Sequence, residues 1–181
     1  RVGSGAGEWS FRRVIVASGT KPKRFDFEIP VTLEGKVHYE IASLLRESGK
    51  TMVIVGGGEA AYDYALTLAE NNSVYVLSRG GGTKCLPPLE ARVAAHSRIV
   101  RVANVTVLSV APDANGLAVR CRGAEGPLEF RADGLIGAIG RVPDLDFLAP
   151  GLKLMIPGLV EEGRLYFAGD VKNGAFRQTA I

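Results

Sequence analysis

A five-residue run, Thr51-Met52-Val53-Ile54-Val55, ends in Gly56-Gly57-Gly58, and nothing else in the chain restricts its fold as much. The run carries no charge, so it reads as a parallel strand buried on both faces. From Glu59 to Glu70, Ala61, Ala65, Leu66 and Leu68 recur at helical spacing. Val74-Tyr75-Val76-Leu77 then reads as a second strand. Strand, glycine turn, helix and strand together make one βαβ unit.

The turn itself, Gly56-Gly57-Gly58-Glu59-Ala60-Ala61, fits G-x-G-x-x-G/A. Each small residue has a task. Gly56 permits the sharp turn from strand to helix. Gly58 has no Cβ, so a pyrophosphate can lie against the backbone. Ala61 lets the helix approach the sheet. The free N–H groups and partial positive charge at the helix start favour an anion there. The expectation is a Rossmann-like α/β domain that binds a dinucleotide. A second cluster, Gly3-Ser4-Gly5-Ala6-Gly7, follows no strand and precedes no helix, so it reads as a hairpin turn.

The end of the second strand bears on which dinucleotide. NAD binders place an acid there to hold the ribose 2′-OH. Here Ser78 stands in that position, followed by Arg79, with Lys84 in the same loop. No acid competes, and two cations could hold a 2′-phosphate, which points to NADP over NAD.

Elsewhere the pattern predicts a buried strand at Val14–Ala17 and a proline-punctuated connector from Lys21 to Gly35. It also predicts a helix over Tyr39–Glu47, with Ile41, Leu44 and Leu45 on one face, and another over Leu89–Ala95. Ile99 to Arg131 alternates apolar and polar residues, which predicts two to four antiparallel strands as a small inserted sheet. Leu135–Ile139 and Leu165–Ala168 read as further strands.

Composition excludes more than it assigns. A hydrophobic fraction of 46% allows a core, and a net charge of +3 without a dense basic cluster gives no nucleic-acid footprint. No run of ~18 apolar residues exists, so no membrane span is expected. Cys85 and Cys121 form no CxxC, which fits a reducing cytoplasm. His38 and His96 have no carboxylate or cysteine cluster at ligand spacing, so no metal site is expected and each reads as a surface or helix-end histidine. The chain opens on Arg1-Val2-Gly3 without an initiating Met or a signal peptide, and closes on Gln178-Thr179-Ala180-Ile181. Both ends read as cut from a longer protein.

Four motifs in order carry a resemblance. They are Val14-Ile15-Val16-Ala17-Ser18-Gly19-Thr20 with Pro22, Gly56 to Ala61, Ala138-Ile139-Gly140-Arg141-Val142-Pro143, and Phe167-Ala168-Gly169-Asp170 followed by Arg177-Gln178. The chain resembles the thioredoxin-reductase-like pyridine nucleotide-disulfide oxidoreductases, flavoproteins with two dinucleotide-binding domains. The resemblance implies trailing FAD-domain strands over residues 1–35, an NAD(P)H domain over 36–140, and a truncated return into the FAD domain over 141–181. It implies that Ile139, Gly140 and Arg141 lie by the cofactor. Gly169 and Asp170 would hold the FAD ribityl chain, and a helix starting near Arg177 and Gln178 would point at the flavin. It further implies hydride transfer from NADPH to FAD, with a ferredoxin or small redox protein as acceptor, and a homodimer.

Two features depart from the family. No upstream G-x-G-x-x-G is present, so the chain alone is expected to hold no FAD and to be inactive. The stretch Val37-His38-Tyr39-Glu40-Ile41-Ala42, where thioredoxin reductases carry CxxC, has no cysteine. In this it is similar to the ferredoxin–NADP reductases of the thioredoxin-reductase type. A non-catalytic dinucleotide-binding or redox-sensing module, and a disulfide reductase with cysteines outside this chain, remain the alternatives.

Overall fold

A computed structural model describes residues 2–82 and 84–173. The strands are β1 (Val2–Ser4), β2 (Gly7–Trp9), β3 (Val14–Val16), β4 (Thr20–Pro22), β5 (Val37–His38), β6 (Thr51–Val55), β7 (Ser73–Leu77), β8 (Ile99–Val102), β9 (Thr106–Asp113), β10 (Gly116–Arg122), β11 (Pro127–Ala132), β12 (Gly134–Gly137), β13 (Arg141–Pro143) and β14 (Leu165–Phe167). The α-helices are α1 (Glu59–Ala69), α2 (Pro87–Ala95), α3 (Pro150–Glu161) and α4 (Asp170–Asn173). The chain divides into two compact units, one of residues 1–21 with 141–181 and one of Pro22–Gly140.

The second unit is built on a parallel sheet in the order β5-β12-β6-β7-β8. From β6 the chain steps outward through α1 to β7 and through α2 to β8. It then passes through the antiparallel meander β9-β10-β11 and returns as β12 on the other side of β6. The strand order therefore reverses between β6 and β12, and ligands of open α/β sheets bind at such a reversal, beyond the carboxyl ends of the strands.

β6 shows why both of its faces are apolar. Met52 and Ile54 pack with Ala61, Ala65, Leu68 and Val93 of α1 and α2. Val53 and Val55 pack with Val110, Leu117, Val119 and Ala132 of the meander. Burying a side chain of this size contributes about 1.5–3 kcal/mol. The connector preceding β5 joins the second core: Leu33 is fully buried, and Phe25, Phe27 and Ile29 lie against it.

Three expectations change. Tyr39–Glu47 is not a helix but a single 3-10 turn at Ala42–Leu44, preceded by β5. Tyr39 is pinned instead, its hydroxyl accepting the Phe25 N–H at 3.1 Å and its ring 5.4 Å from that of Phe25. Ile99–Val102 is not antiparallel but the edge strand of the parallel sheet, since α2 returns the chain beside β7. His38 is a half-buried strand residue rather than a surface or helix-end one.

In the first unit, β1 and β2 form the expected hairpin. β3 pairs with β14 in parallel and β4 with β13. β3 is buried on one side only: Val16 packs with Leu165 and Val171, while Ile15 is exposed. The helix α3 has no counterpart in the sequence reading, because Gly151, Pro157 and Gly158 broke its pattern; Pro150 is tolerated at its first turn.

Candidate dinucleotide site

The site grows from the end of β6. The Gly56 N–H donates to Leu77 O and the Ala138 N–H to Val55 O, both at 2.9 Å, so the ends of β6, β7 and β12 are knitted together. A Cβ on Gly56 would stand 2.3 Å from Ala138 O and 3.1 Å from Ala61 Cβ. A Cβ on Gly57 would stand 3.2 Å from Ser78 Cβ. A Cβ on Gly58 would meet no atom within 4 Å. Gly56 is thus needed for packing, Gly57 sits tightly beside Ser78, and Gly58 leaves open space in front of the backbone. Gly58 caps α1 without any side-chain hydrogen bond, and Glu59 and Ala60 are exposed while Ala61 is fully buried. The helix start is free to present its amides to an anion.

Ser78 is held by its backbone, which donates to Val102 O at 3.0 Å and accepts from Val105 N at 2.9 Å. Its hydroxyl donates to Gly80 O at 3.0 Å and closes the turn that carries Arg79. Arg79 and Lys84 are both exposed. Among the described residues neither has an acidic partner. The Lys84 N–H donates to Gly57 O at 3.0 Å and Lys84 bridges to Gly58. The loop after β7 thus folds back onto the glycine turn. That contact was not visible in the sequence, where Lys84 stood only as a nearby cation.

Ile139 and Gly140 continue from β12. Ile139 is partly buried against the second core, and Gly140 is exposed with φ +105°, a conformation only glycine adopts readily. In the first unit, Arg141 donates from Nε to Thr20 Oγ1 at 2.8 Å and from Nη2 to Thr20 O at 2.7 Å, so much of its guanidinium is spent on β4. Gly169 has φ +72° and accepts the Lys172 N–H, and half-buried Asp170 opens the short helix α4. Arg177 and Gln178 lie outside the described residues.

Sequence reasoning missed a recess next to the glycine turn. A cavity of about 390 Å³ is lined by Tyr62, Val76, Ser78, Val93, Ile99 and Arg101, among others. The Arg101 guanidinium lies 5.3 Å from the Tyr62 ring centroid and 3.1 Å from Glu90. Burial pushes the Tyr62 hydroxyl above its ordinary pKa, with Arg101 pulling the other way. Burial also holds His38 below its ordinary value, against a Gly35 backbone hydrogen bond and the charge of Glu47. Among the described residues no cluster of His, Cys, Asp or Glu could hold a metal, and no helix is long and apolar enough to cross a membrane.

Neither cysteine belongs to the site. Cys85 is half-buried and Cys121 fully buried, both as free thiols. Burial pushes the Cys121 thiol up to about 11. The thiolate is the reactive form, so Cys121 will resist iodoacetamide at pH 8 in the folded chain and become labelled on unfolding. Mass spectrometry of the labelled chain checks this, and rapid native labelling of Cys121 would contradict the packing of β10.

A parallel sheet with a glycine turn at its order reversal, a helix presenting its amino end, and a loop of cations folded onto that turn define a Rossmann-type dinucleotide-binding domain. The family described as pyridine nucleotide-disulphide oxidoreductase matches residues 1–89. A ferredoxin–NADP reductase of Paraburkholderia phymatum is 30% identical over 140 residues, covering 73% of this chain and 40% of that protein. A thioredoxin reductase of Schizosaccharomyces pombe is 26% identical over 142 residues, covering 71% and 44%. Thioredoxin reductase from Lactococcus lactis superposes with a TM-score of 0.77 at 17% identity, over 92% of this chain and 59% of that one. The T. acidophilum thioredoxin reductase gives 0.73 at 19% identity, over 91% and 59%. Residues 1–89 thus resemble the pyridine nucleotide-disulphide oxidoreductases, and the chain shares the fold of the thioredoxin reductases. It spans about two-fifths of the length of the first curated relatives it matches.

Proposed function

We propose that the chain is the NADPH-binding part of a flavin-dependent oxidoreductase that passes electrons to a ferredoxin or another small redox protein. The observation that carries this reading is the open face of Gly58 at the start of α1, with Lys84 hydrogen-bonded onto the same turn. When bound, NADPH would supply a hydride and FAD would receive it. The chain's own residues bind and orient. The amides of Glu59, Ala60 and Ala61 hold the pyrophosphate, with Gly56, Gly57 and Gly58 giving it room. Ser78, Arg79 and Lys84 hold the 2′-phosphate. Ile139 and Gly140 wall the pocket where the strand order reverses. In the whole protein Gly169 and Asp170 would hold the ribityl chain of the flavin and Arg177 and Gln178 would belong to the same flavin motif, while Arg141, which ties β13 to β4, would lie by the cofactor. On this reading residues 36–140, with the connector 22–35 packed on their core, carry NADPH binding, and residues 1–21 and 141–181 are strips of the FAD domain. Two free thiols fit a cytoplasmic protein.

The test is the visible spectrum of the full-length protein with NADPH added without oxygen. Bleaching of a bound flavin is expected. NADPH binding with no flavin to bleach would leave a non-catalytic dinucleotide module. The cofactor choice is tested at Arg79. Arg79→Ala removes a charge-assisted contact and is expected to cost NADPH roughly 1.5–3 kcal/mol of affinity, with little effect on NADH. Equal weakening of both in a titration would rule out the 2′-phosphate role.

A further inference from the structure

Arg101 on β8 and Ser78, just past the end of β7, line the same recess. Arg101 pairs in register with Val76, whose side chain is on the face that carries α1 and α2. The recess touches the glycine turn twice. Tyr62, under the Arg101 guanidinium, donates its N–H to Gly58 O at 3.3 Å, and Ser78 Cβ lies 3.2 Å from where a Gly57 Cβ would be. The walls beyond are Val76, Val93 and Ile99, two of them fully buried and the third partly so. The Arg101 guanidinium stands at the solvent-facing mouth of the recess, where the Tyr62 ring and Glu90 restrict its rotamers while a third of the side chain stays open to an incoming anion.

We propose that Arg101 is a third cationic contact for the 2′-phosphate of the dinucleotide, and that Glu90 holds it in place until the phosphate arrives. The inference rests on reading the glycine turn as an NADPH site. Glu90 sits in the first turn of α2, where a carboxylate is stabilised by the helix end. Its pair with Arg101 is about one-third exposed on each side, at 33% and 37%, and such a pair is weak enough to exchange for a phosphate dianion. The planar guanidinium fork matches phosphate geometry, which an ammonium would not.

The experiment titrates the chain with NADPH and with NADH by calorimetry, for wild type, Arg101→Gln, Arg101→Lys, Glu90→Gln and Arg79→Ala, with circular dichroism as the check on folding. Arg101→Gln is expected to weaken NADPH about tenfold and leave NADH within about twofold, as for a lost charge-assisted contact. Arg101→Lys should recover part of the loss, and Glu90→Gln should tighten NADPH by removing the competing carboxylate. Arg101→Gln variants that weaken both dinucleotides alike, or neither, would overturn the proposal and leave Arg101 a packing residue. If Arg79→Ala loses its preference for NADPH while Arg101→Gln keeps it, the Arg101 role alone falls. If the wild-type chain binds neither dinucleotide, the reading of the turn falls, and the Arg101 role with it.

Discussion

Gly58→Val will leave the chain folded and unable to bind a dinucleotide. Both halves of that result come from the geometry at one residue. Gly58 has φ −108° and ψ −178°, an extended conformation open to any L-residue and favoured by β-branched ones. A side chain built there meets no protein atom within 4 Å. The helix loses a good N-cap, which costs about 1 kcal/mol or less. The space filled by the isopropyl group is the space a pyrophosphate needs against the amides of α1. Calorimetry with NADPH should show no measurable binding, while circular dichroism matches the wild type. Undiminished affinity in that folded variant would remove the dinucleotide assignment altogether.

Gly56→Ala is expected to do the reverse and damage the fold. The added methyl would lie 2.3 Å from Ala138 O and 3.0 Å from Ala138 C. These are backbone atoms, and the Ala138 N–H is already bonded to Val55 O at 2.9 Å, so they cannot swing aside as a flexible side chain would. Ala61 Cβ blocks the other direction at 3.1 Å. Overpacking of this kind typically costs about 1–3 kcal/mol, and a contact this short against a hydrogen-bonded strand belongs at the upper end. For a unit of this size the thermal midpoint should fall on the order of 5–10 °C. Gly80→Ala is the control: no atom lies within 4 Å of its Cβ position, so its midpoint should stay where it is. Equal midpoints for Gly56→Ala and wild type would mean that β12 does not end against the turn as described.

The two variants also mark how far the sequence could be read. The motif names Gly56 and Gly58 as equals. Only the return of β12 beside β6 makes one of them a packing residue and the other a binding surface.

The amphipathic spacing of Ile41, Leu44 and Leu45 suggested a helix. Leu44 is buried as that pattern requires, but Leu45 is exposed, and the local chain is held by Tyr39 against Phe25 rather than by helical hydrogen bonds. The alternation over Ile99–Val102 suggested a hairpin strand, since an edge strand and a meander strand can carry the same period of two. α3 went unread because Pro157 and its glycines oppose helix propensity; it is held by Ile156 and Leu159 against Val16, Leu165 and Val171, while Leu154 and Met155 stay exposed.

What the sequence determined by itself was local. The apolar run Thr51–Val55, the three glycines, the helix from Glu59 and the strand ending at Leu77 follow one another directly. Backbone preference and hydrophobic period over such short distances were enough to specify a βαβ unit and its anion-binding turn. What only the tertiary structure decided was which later residues come to that turn. Lys84 arrives through a backbone hydrogen bond to Gly57, which leaves no mark on side-chain pattern. Arg101 arrives because α2 lays β8 beside β7, and Ala138 because the chain crosses the meander and returns next to β6. Those placements depend on which hydrophobic faces find each other, and a face carries no label of its partner until the core is assembled.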